Sequence, residues 1–178
     1  MLGLALLLMA NFGADCVAQG TSMRDPRQGR RLYCLGKDGL AIRGYSPVSY
    51  FDHEKAEKGS SEFAVEHRGI TYHFTDAGQV ERFNADPDKY EPAHGGWCSL
   101  MMSASGHRTE ANPESFKIVD GRLLLFWHGK YRGKTVDGLA NWNKRYNVPA
   151  NETKGLGRAD KNWSLITAGK KRSPIRVF

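Results

Sequence analysis

Residues 69–102 constrain the fold most, because this stretch changes from a strand pattern to a helix pattern and ends beyond two adjacent glycines. Apolar Ile70, Tyr72 and Phe74 alternate with polar residues, which is the period of a half-buried strand. The pair Thr75-Asp76 then supplies a helix N-cap, ahead of a helical apolar face. The stretch therefore predicts a strand, a helix and then a tight elbow at Gly95-Gly96.

Turn signals elsewhere predict two hairpins. Residues 63–67 and 69–74 form the first, with Arg68-Gly69 as its turn. Residues 116–119 and 122–127 form the second around Asp120-Gly121, a dipeptide that strongly favours a two-residue hairpin turn.

Helical patterns follow the second hairpin. Residues 131–146 predict a helix, which Pro149 ends, and residues 152–163 predict a looser helix because they contain two glycines. We therefore expect an α+β fold, with one small antiparallel sheet built from the two hairpins and covered by three to four helices.

The N-terminus has features of an export signal. Residues 2–10 are an apolar run of signal-peptide length, too short for the roughly 20 residues that span a bilayer. Cleavage after Ala18 would remove residues 1–18, so we expect an exported protein of the periplasm or cell envelope. No basic residue precedes Arg24, and a buried N-terminal helix is the alternative.

The chain length of 178 residues suits one domain with flanking segments. We expect an extended lead-in at residues 19–39, the domain at residues 40–165 and a basic disordered tail at residues 166–178.

The formal net charge is +7, and the basic residues concentrate at residues 24–31 and from residue 151 onward. Such flanks could contact anionic envelope surfaces or simply remain solvated. Export, and the lack of a basic helix interleaved with stacking aromatics, argue against nucleic acid as a partner.

Without residues 1–18 the chain keeps two cysteines, Cys34 and Cys98. In an oxidising compartment they could form one disulfide, or both could stay free. The choice matters because a bridged sulfur neither binds metal nor attacks a substrate.

The elbow is followed by possible metal ligands. His94, Cys98, Met101 and His107 offer imidazole, thiolate and thioether groups, a set that copper prefers, and zinc would accept the thiolate and imidazoles. The same residues also fit ordinary packing, with Cys98 and Met101 as core residues and the two histidines in loops.

Several segments together resemble the YHS domain family, in its exported subgroup. The segments are GYSPVSYF at 44–51, GITYHF at 69–74, RFNADPDKY at 82–90, GGWC at 95–98, VDGRLLL at 119–125 and ADKNW at 159–163. They run in order from about residue 40 to residue 163. The resemblance implies a YHS-domain-like α+β fold and a role connected with metal handling.

The resemblance does not extend to the usual metal site of that family. The cysteines that bind metal in the wider family correspond here to Ser49, Thr75 and Gln79, none of which is a thiol. For the exported subgroup the resemblance implies no defined biochemical role.

Two functional hypotheses follow. In the first, the protein binds or senses copper or zinc through Cys98, with His94, Met101 and His107 as further ligands. In the second, it is a non-catalytic structural or protein-interaction module, with Cys98 buried or bonded to Cys34. No carboxylate partner or oxyanion arrangement can be placed around Cys98 as a nucleophile, so we predict no catalytic residue.

Overall fold

The computed structural model describes residues 30–170, which form an α+β fold, as expected. The described residues contain six α-helices. These are α1 (Ser49–Asp52), α2 (Ala77–Ala85), α3 (Pro87–Tyr90), α4 (Ser99–Ala104), α5 (Gly138–Arg145) and α6 (Pro149–Thr167). Six strands accompany them. These are β1 (Ser60–His67), β2 (Ile70–Phe74), β3 (Asn112–Val119), β4 (Arg122–Phe126), β5 (His128–Tyr131) and β6 (Lys134–Asp137).

Both predicted hairpins are present. Strand β1 pairs antiparallel with β2, and β3 pairs antiparallel with β4. The turn at Asp120-Gly121 has φ angles of 50° and 71°, which glycine and aspartate tolerate better than other residues. Along β2 the side chains of Ile70, Tyr72 and Phe74 are all buried, which confirms the alternation read from the sequence.

The arrangement of the sheets differs from the expectation of a single sheet. In residues 30–170, β1–β2, β3–β4 and β5–β6 are three separate two-stranded antiparallel sheets. The third hairpin covers residues 128–137 and so takes up the first part of residues 131–146, where we predicted helix. Its turn at Arg132-Gly133 has positive φ at both residues, so the chain reverses there and the helix begins only at Gly138.

Aspartate caps fix the helices that lead to the elbow. The side chain of Asp76 accepts a hydrogen bond of 2.9 Å from the backbone N–H of Gln79 at the start of α2. Asp86 ends α2 and caps α3 in the same way, with Pro87 in the first turn of α3. The predicted N-cap is therefore confirmed.

Two apolar clusters form the core. The first packs α1, α2 and the β1–β2 hairpin around buried aromatic rings such as Tyr50, Tyr72 and Phe83. The second packs β4 against α5 and α6 through Phe126, Trp142 and others. Burying each large apolar side chain contributes roughly 1.5–3 kcal/mol. Ala93 and Cys98, on either side of Gly95-Gly96, belong to the second cluster, which therefore anchors the elbow.

The described part of the lead-in is attached to the domain. The backbone N–H of Cys34 donates to the carbonyl of Gly95 at 2.8 Å, and the indole N–H of Trp97 donates to the carbonyl of Leu32 at 2.6 Å. The proposed signal segment, residues 1–18, lies outside the described residues, as do residues 171–178 of the predicted tail. No described helix is both long and apolar enough to cross a membrane.

Helix α6 is a single helix of 19 residues that continues to Thr167, two residues into the predicted tail. Gly155 allows this helix to lie directly on the ring of Tyr146, because a Cβ atom there would come within 2.7 Å of that ring. At Gly157, two residues along the same helix, an added Cβ would meet nothing within 4 Å.

We predict that Gly155→Ala is about 1–3 kcal/mol less stable than Gly157→Ala, because only the first methyl group overpacks the core. Urea unfolding of both variants and of the parent chain measures the difference. Gly157→Ala should be as stable as the parent or more stable, since alanine favours helix over glycine. Equal stability of the two variants would contradict the packing of α6 on Tyr146.

Candidate functional site

The elbow is a short 3₁₀ turn, Ala93–Gly96, and Ala93 belongs to the second apolar cluster. His94 has φ 57° and Gly95 has φ 64°, both in the left-handed region that disfavours side chains. A Cβ atom at Gly95 would lie 2.9 Å from the ring of Trp163, so glycine is required at that position. His94 is not a glycine, so its left-handed backbone conformation is strained and must be maintained by its contacts.

Hydrogen bonds at both ring nitrogens hold His94. Its Nδ1 lies 3.3 Å from the hydroxyl of Ser99, and its Nε2 lies 3.1 Å from a carboxylate oxygen of Asp160 on α6. The guanidinium of Arg122 donates to both oxygens of the same carboxylate, at 2.9 and 3.0 Å. We call these four residues the elbow network; Ser99 and His94 are buried, whereas the side chains of Asp160 and Arg122 are 43% and 40% exposed.

The contacts fit a neutral imidazole. Nε2–H donates to Asp160, and Nδ1 accepts from the Ser99 hydroxyl, which satisfies both nitrogens. Burial lowers the pKa of His94 below its ordinary value of 6.5, although the hydrogen bond and charge of Asp160 oppose the shift. The hydrogen bond from His94, together with those from Arg122, holds the pKa of Asp160 well below its usual range.

Cys98 lies beneath the elbow in the second apolar cluster and is only 1% exposed. Burial raises the pKa of its thiol above the ordinary value, which disfavours the thiolate that would bind metal or attack a substrate. Cys34 is half-buried, and both cysteines are free thiols in the structure.

The other two predicted ligands point to different surroundings. Met101 packs against the second apolar cluster, whereas His107 is exposed, with its Nδ1 2.8 Å from the Ser105 hydroxyl. Cys98 and Met101 therefore share the second apolar cluster, His94 is hydrogen-bonded to Ser99 and Asp160, and His107 lies at the surface.

A different set of potential ligands does come together. Within residues 30–170, three histidine, cysteine or carboxylate side chains have ligand atoms within 4.8 Å of one another at a single place, formed by His67, Asp88 and Glu91. Arg68 joins the two carboxylates, with 2.8 Å to Asp88 and 3.0 Å to Glu91. The sequence pattern gives no reason to group these residues, which come from β1, α3 and the loop after α3.

The elbow network and this second cluster border one open cleft of about 320 Å³. Arg68 and Glu91 line one part of the cleft, and Arg122 and Trp163 line another. Three basic and two acidic residues line the cleft, and Arg68 forms ion pairs with both acidic residues, so the cleft is polar and of mixed charge.

A second concave surface, which we call the basic groove, has a different character. It measures about 240 Å³ and is lined by Arg145, Tyr146, Asn151, Lys154 and Arg158. None of its three basic side chains has an ion-pair partner among residues 30–170. The guanidinium of Arg145 lies over the ring of Tyr146, 5.9 Å from its centroid, in a cation–π contact.

Sequence reasoning identified His94 but not its partners Ser99, Arg122 and Asp160. Asp160 is 66 residues away, and residue spacing gives no information about such a contact. The sequence contained one indication of these contacts. Arg122 and Asp160 lie within two of the segments that resemble the YHS family, and His94 directly precedes a third. Those three segments meet at the elbow.

Comparison of the chain with models of known protein families, with curated proteins and with solved structures finds no match in any of the three.

We predict that the stability of the protein falls as the pH is lowered through the range below about 6.5, because the unfolded chain binds a proton at His94 more readily than the folded one. The contribution of this residue is complete above the unfolded pKa and is lost on acidification towards the lower folded pKa. Urea midpoints measured between about pH 8 and pH 5 test this.

The slope of the urea midpoint against pH should be much smaller in His94→Gln than in the parent chain. The variant His107→Gln, at an exposed histidine, should keep the slope of the parent. An equal slope in the parent chain and in His94→Gln would contradict the neutral buried imidazole.

Proposed function

We propose that this protein is an exported YHS-type domain that works as a non-catalytic interaction module and attaches to anionic surfaces of the cell envelope. The observation that carries the proposal is the basic groove, whose three cations lack ion-pair partners among residues 30–170. The YHS assignment is supported by the ordered segments and by the meeting of three of them at the elbow.

The surroundings of Cys98 favour this hypothesis over metal binding through the thiol. A sulfur that is 1% exposed among apolar side chains is a packing residue in most proteins. Coordination would require the thiol to ionise, and burial raises its pKa. His94, the nearest imidazole in the sequence, already uses both ring nitrogens.

The elbow network also favours a structural role over catalysis. Ser99, His94 and Asp160 are connected in the order of a hydrolase triad, but Ser99 has no exposed surface and cannot meet a substrate. Arg122 further neutralises the carboxylate. The network thus serves to hold α6 against the elbow.

The basic groove fits a phosphate-rich surface better than it fits an apolar partner. Lys154 and Arg158 are four residues apart on α6 and therefore share one face of the helix, and Arg145 ends α5 beside them. Each cation close to an anionic lipid surface contributes about 1 kcal/mol of attraction. The basic residues after residue 170 would add to it.

Export would bring the protein to the anionic lipid surfaces of the cell envelope. The apolar run at residues 2–10 supports secretion, and an envelope location would expose the basic groove to anionic lipid headgroups. The proposal therefore joins two features, an export signal and a cationic face.

We predict that the chain lacking residues 1–18 co-sediments with vesicles that contain about 30% anionic phospholipid and not with neutral vesicles. Neutralising the groove by Arg145→Gln, Lys154→Gln and Arg158→Gln should reduce the bound fraction severalfold, because about 3 kcal/mol of attraction is removed. Binding should weaken with added salt.

The matched control removes the same charge elsewhere, by Lys130→Gln, Arg132→Gln and Lys134→Gln on the β5–β6 hairpin, whose basic residues are also exposed. This variant should bind nearly as well as the parent chain. Equal losses in the two triple variants would mean that net charge alone drives attachment, and the absence of binding to anionic vesicles would refute the proposal.

A further inference from the structure

The imidazole of His67 has a buried nitrogen without a partner. Its Nε2 is buried and makes no hydrogen bond to residues 30–170, and an oxygen of Glu91 lies 3.8 Å from it, beyond hydrogen-bond distance. Buried polar atoms are nearly always paired, so an orphaned imidazole nitrogen requires an explanation.

Packing fixes the direction of this nitrogen. The ring of His67 stands edge-on to Phe83, with the ring centroids 5.8 Å apart and an interplanar angle of 89°. Glu91 is held as well, because the hydroxyl of Tyr72 donates to its Oε1 at 3.1 Å, and its side chain is only 12% exposed. The nitrogen and the carboxylate are therefore oriented towards each other before any ligand arrives.

Asp88 completes a set of three ligands. One ligand atom from each of His67, Asp88 and Glu91 lies within 4.8 Å of the others. A zinc ion bonds to imidazole nitrogen and carboxylate oxygen at about 2.0–2.2 Å, so small side-chain movements would let one ion reach all three atoms. Three protein ligands leave a further position for water or another ligand.

We propose that His67, Asp88 and Glu91 form a site for a borderline divalent cation such as Zn²⁺, closed by Arg68 when no cation is bound. One imidazole and two carboxylates suit zinc, manganese or ferrous iron better than copper(I), which prefers sulfur ligands. This site is separate from Cys98 and from the positions of the usual YHS metal ligands.

The guanidinium of Arg68 competes with a divalent cation for the two carboxylates. Its guanidinium contacts one oxygen of each carboxylate and neutralises part of their charge. Arg68 is about half exposed and Asp88 is more exposed still, so the ion pair between these two side chains is weak. Glu91 is mostly buried, so a divalent cation must replace the charge that Arg68 supplies to that carboxylate. The displaced guanidinium would move towards the cleft that it lines.

Calorimetric titration of the reduced full chain with Zn²⁺ tests the proposal. We expect one equivalent to bind, with affinity reduced at least about tenfold in Asp88→Asn and in His67→Ala. Arg68→Gln should bind more tightly than the parent chain, because the competing cation is gone. Cys98→Ser and His107→Ala should bind as the parent does.

Two features keep the test decisive. Asp88 is exposed, so Asp88→Asn should fold normally even if His67→Ala does not. In addition, the ¹⁵N signal of His67 Nε2 should shift on addition of Zn²⁺, while the signals of His94 should not.

Loss of binding in Cys98→Ser with retention in Asp88→Asn would overturn the proposal, as would tighter binding by the parent chain than by Arg68→Gln. Vesicle attachment does not involve these residues, so the failure of this site leaves the basic groove to be judged by its own experiment.

Discussion

The hydrogen bond between His94 and Asp160 is the contact on which the rest of this structure depends. It joins residues 66 positions apart and connects the elbow to the long C-terminal helix α6. Arg122 on β4 donates hydrogen bonds to the same carboxylate, so the elbow, β4 and α6 meet at Asp160. This convergence keeps a non-glycine residue in the left-handed region, a strain of about 1–3 kcal/mol that only surrounding contacts can maintain.

The buried side chains and the surface side chains of this protein therefore have different roles. The groups that look reactive in the sequence, His94 and Cys98, are committed to the interior by hydrogen bonds or by apolar packing. The groups free to meet a partner lie elsewhere, in the basic groove and in the cluster around His67. We therefore propose recognition at these two surfaces, rather than thiol chemistry at the elbow, as the function of the molecule.

Sequence patterns predicted the parts of this fold that depend on local geometry. The first two hairpins follow from alternation and from turn pairs such as Asp120-Gly121, and α2 follows from the cap at Asp76. The third hairpin was missed because helical spacing of apolar residues outweighed the turn signal at Arg132-Gly133. The partners of His94 could not be predicted, since tertiary packing alone brings α6 to the elbow.

The most direct test of this account is the ¹⁵N spectrum of the His94 side chain in the folded protein near neutral pH. The account predicts a neutral ring with its proton on Nε2, facing Asp160, and an unprotonated Nδ1 that accepts from Ser99. A doubly protonated ring, or a proton on Nδ1, would contradict it. Either result would mean that the elbow is held by some other interaction.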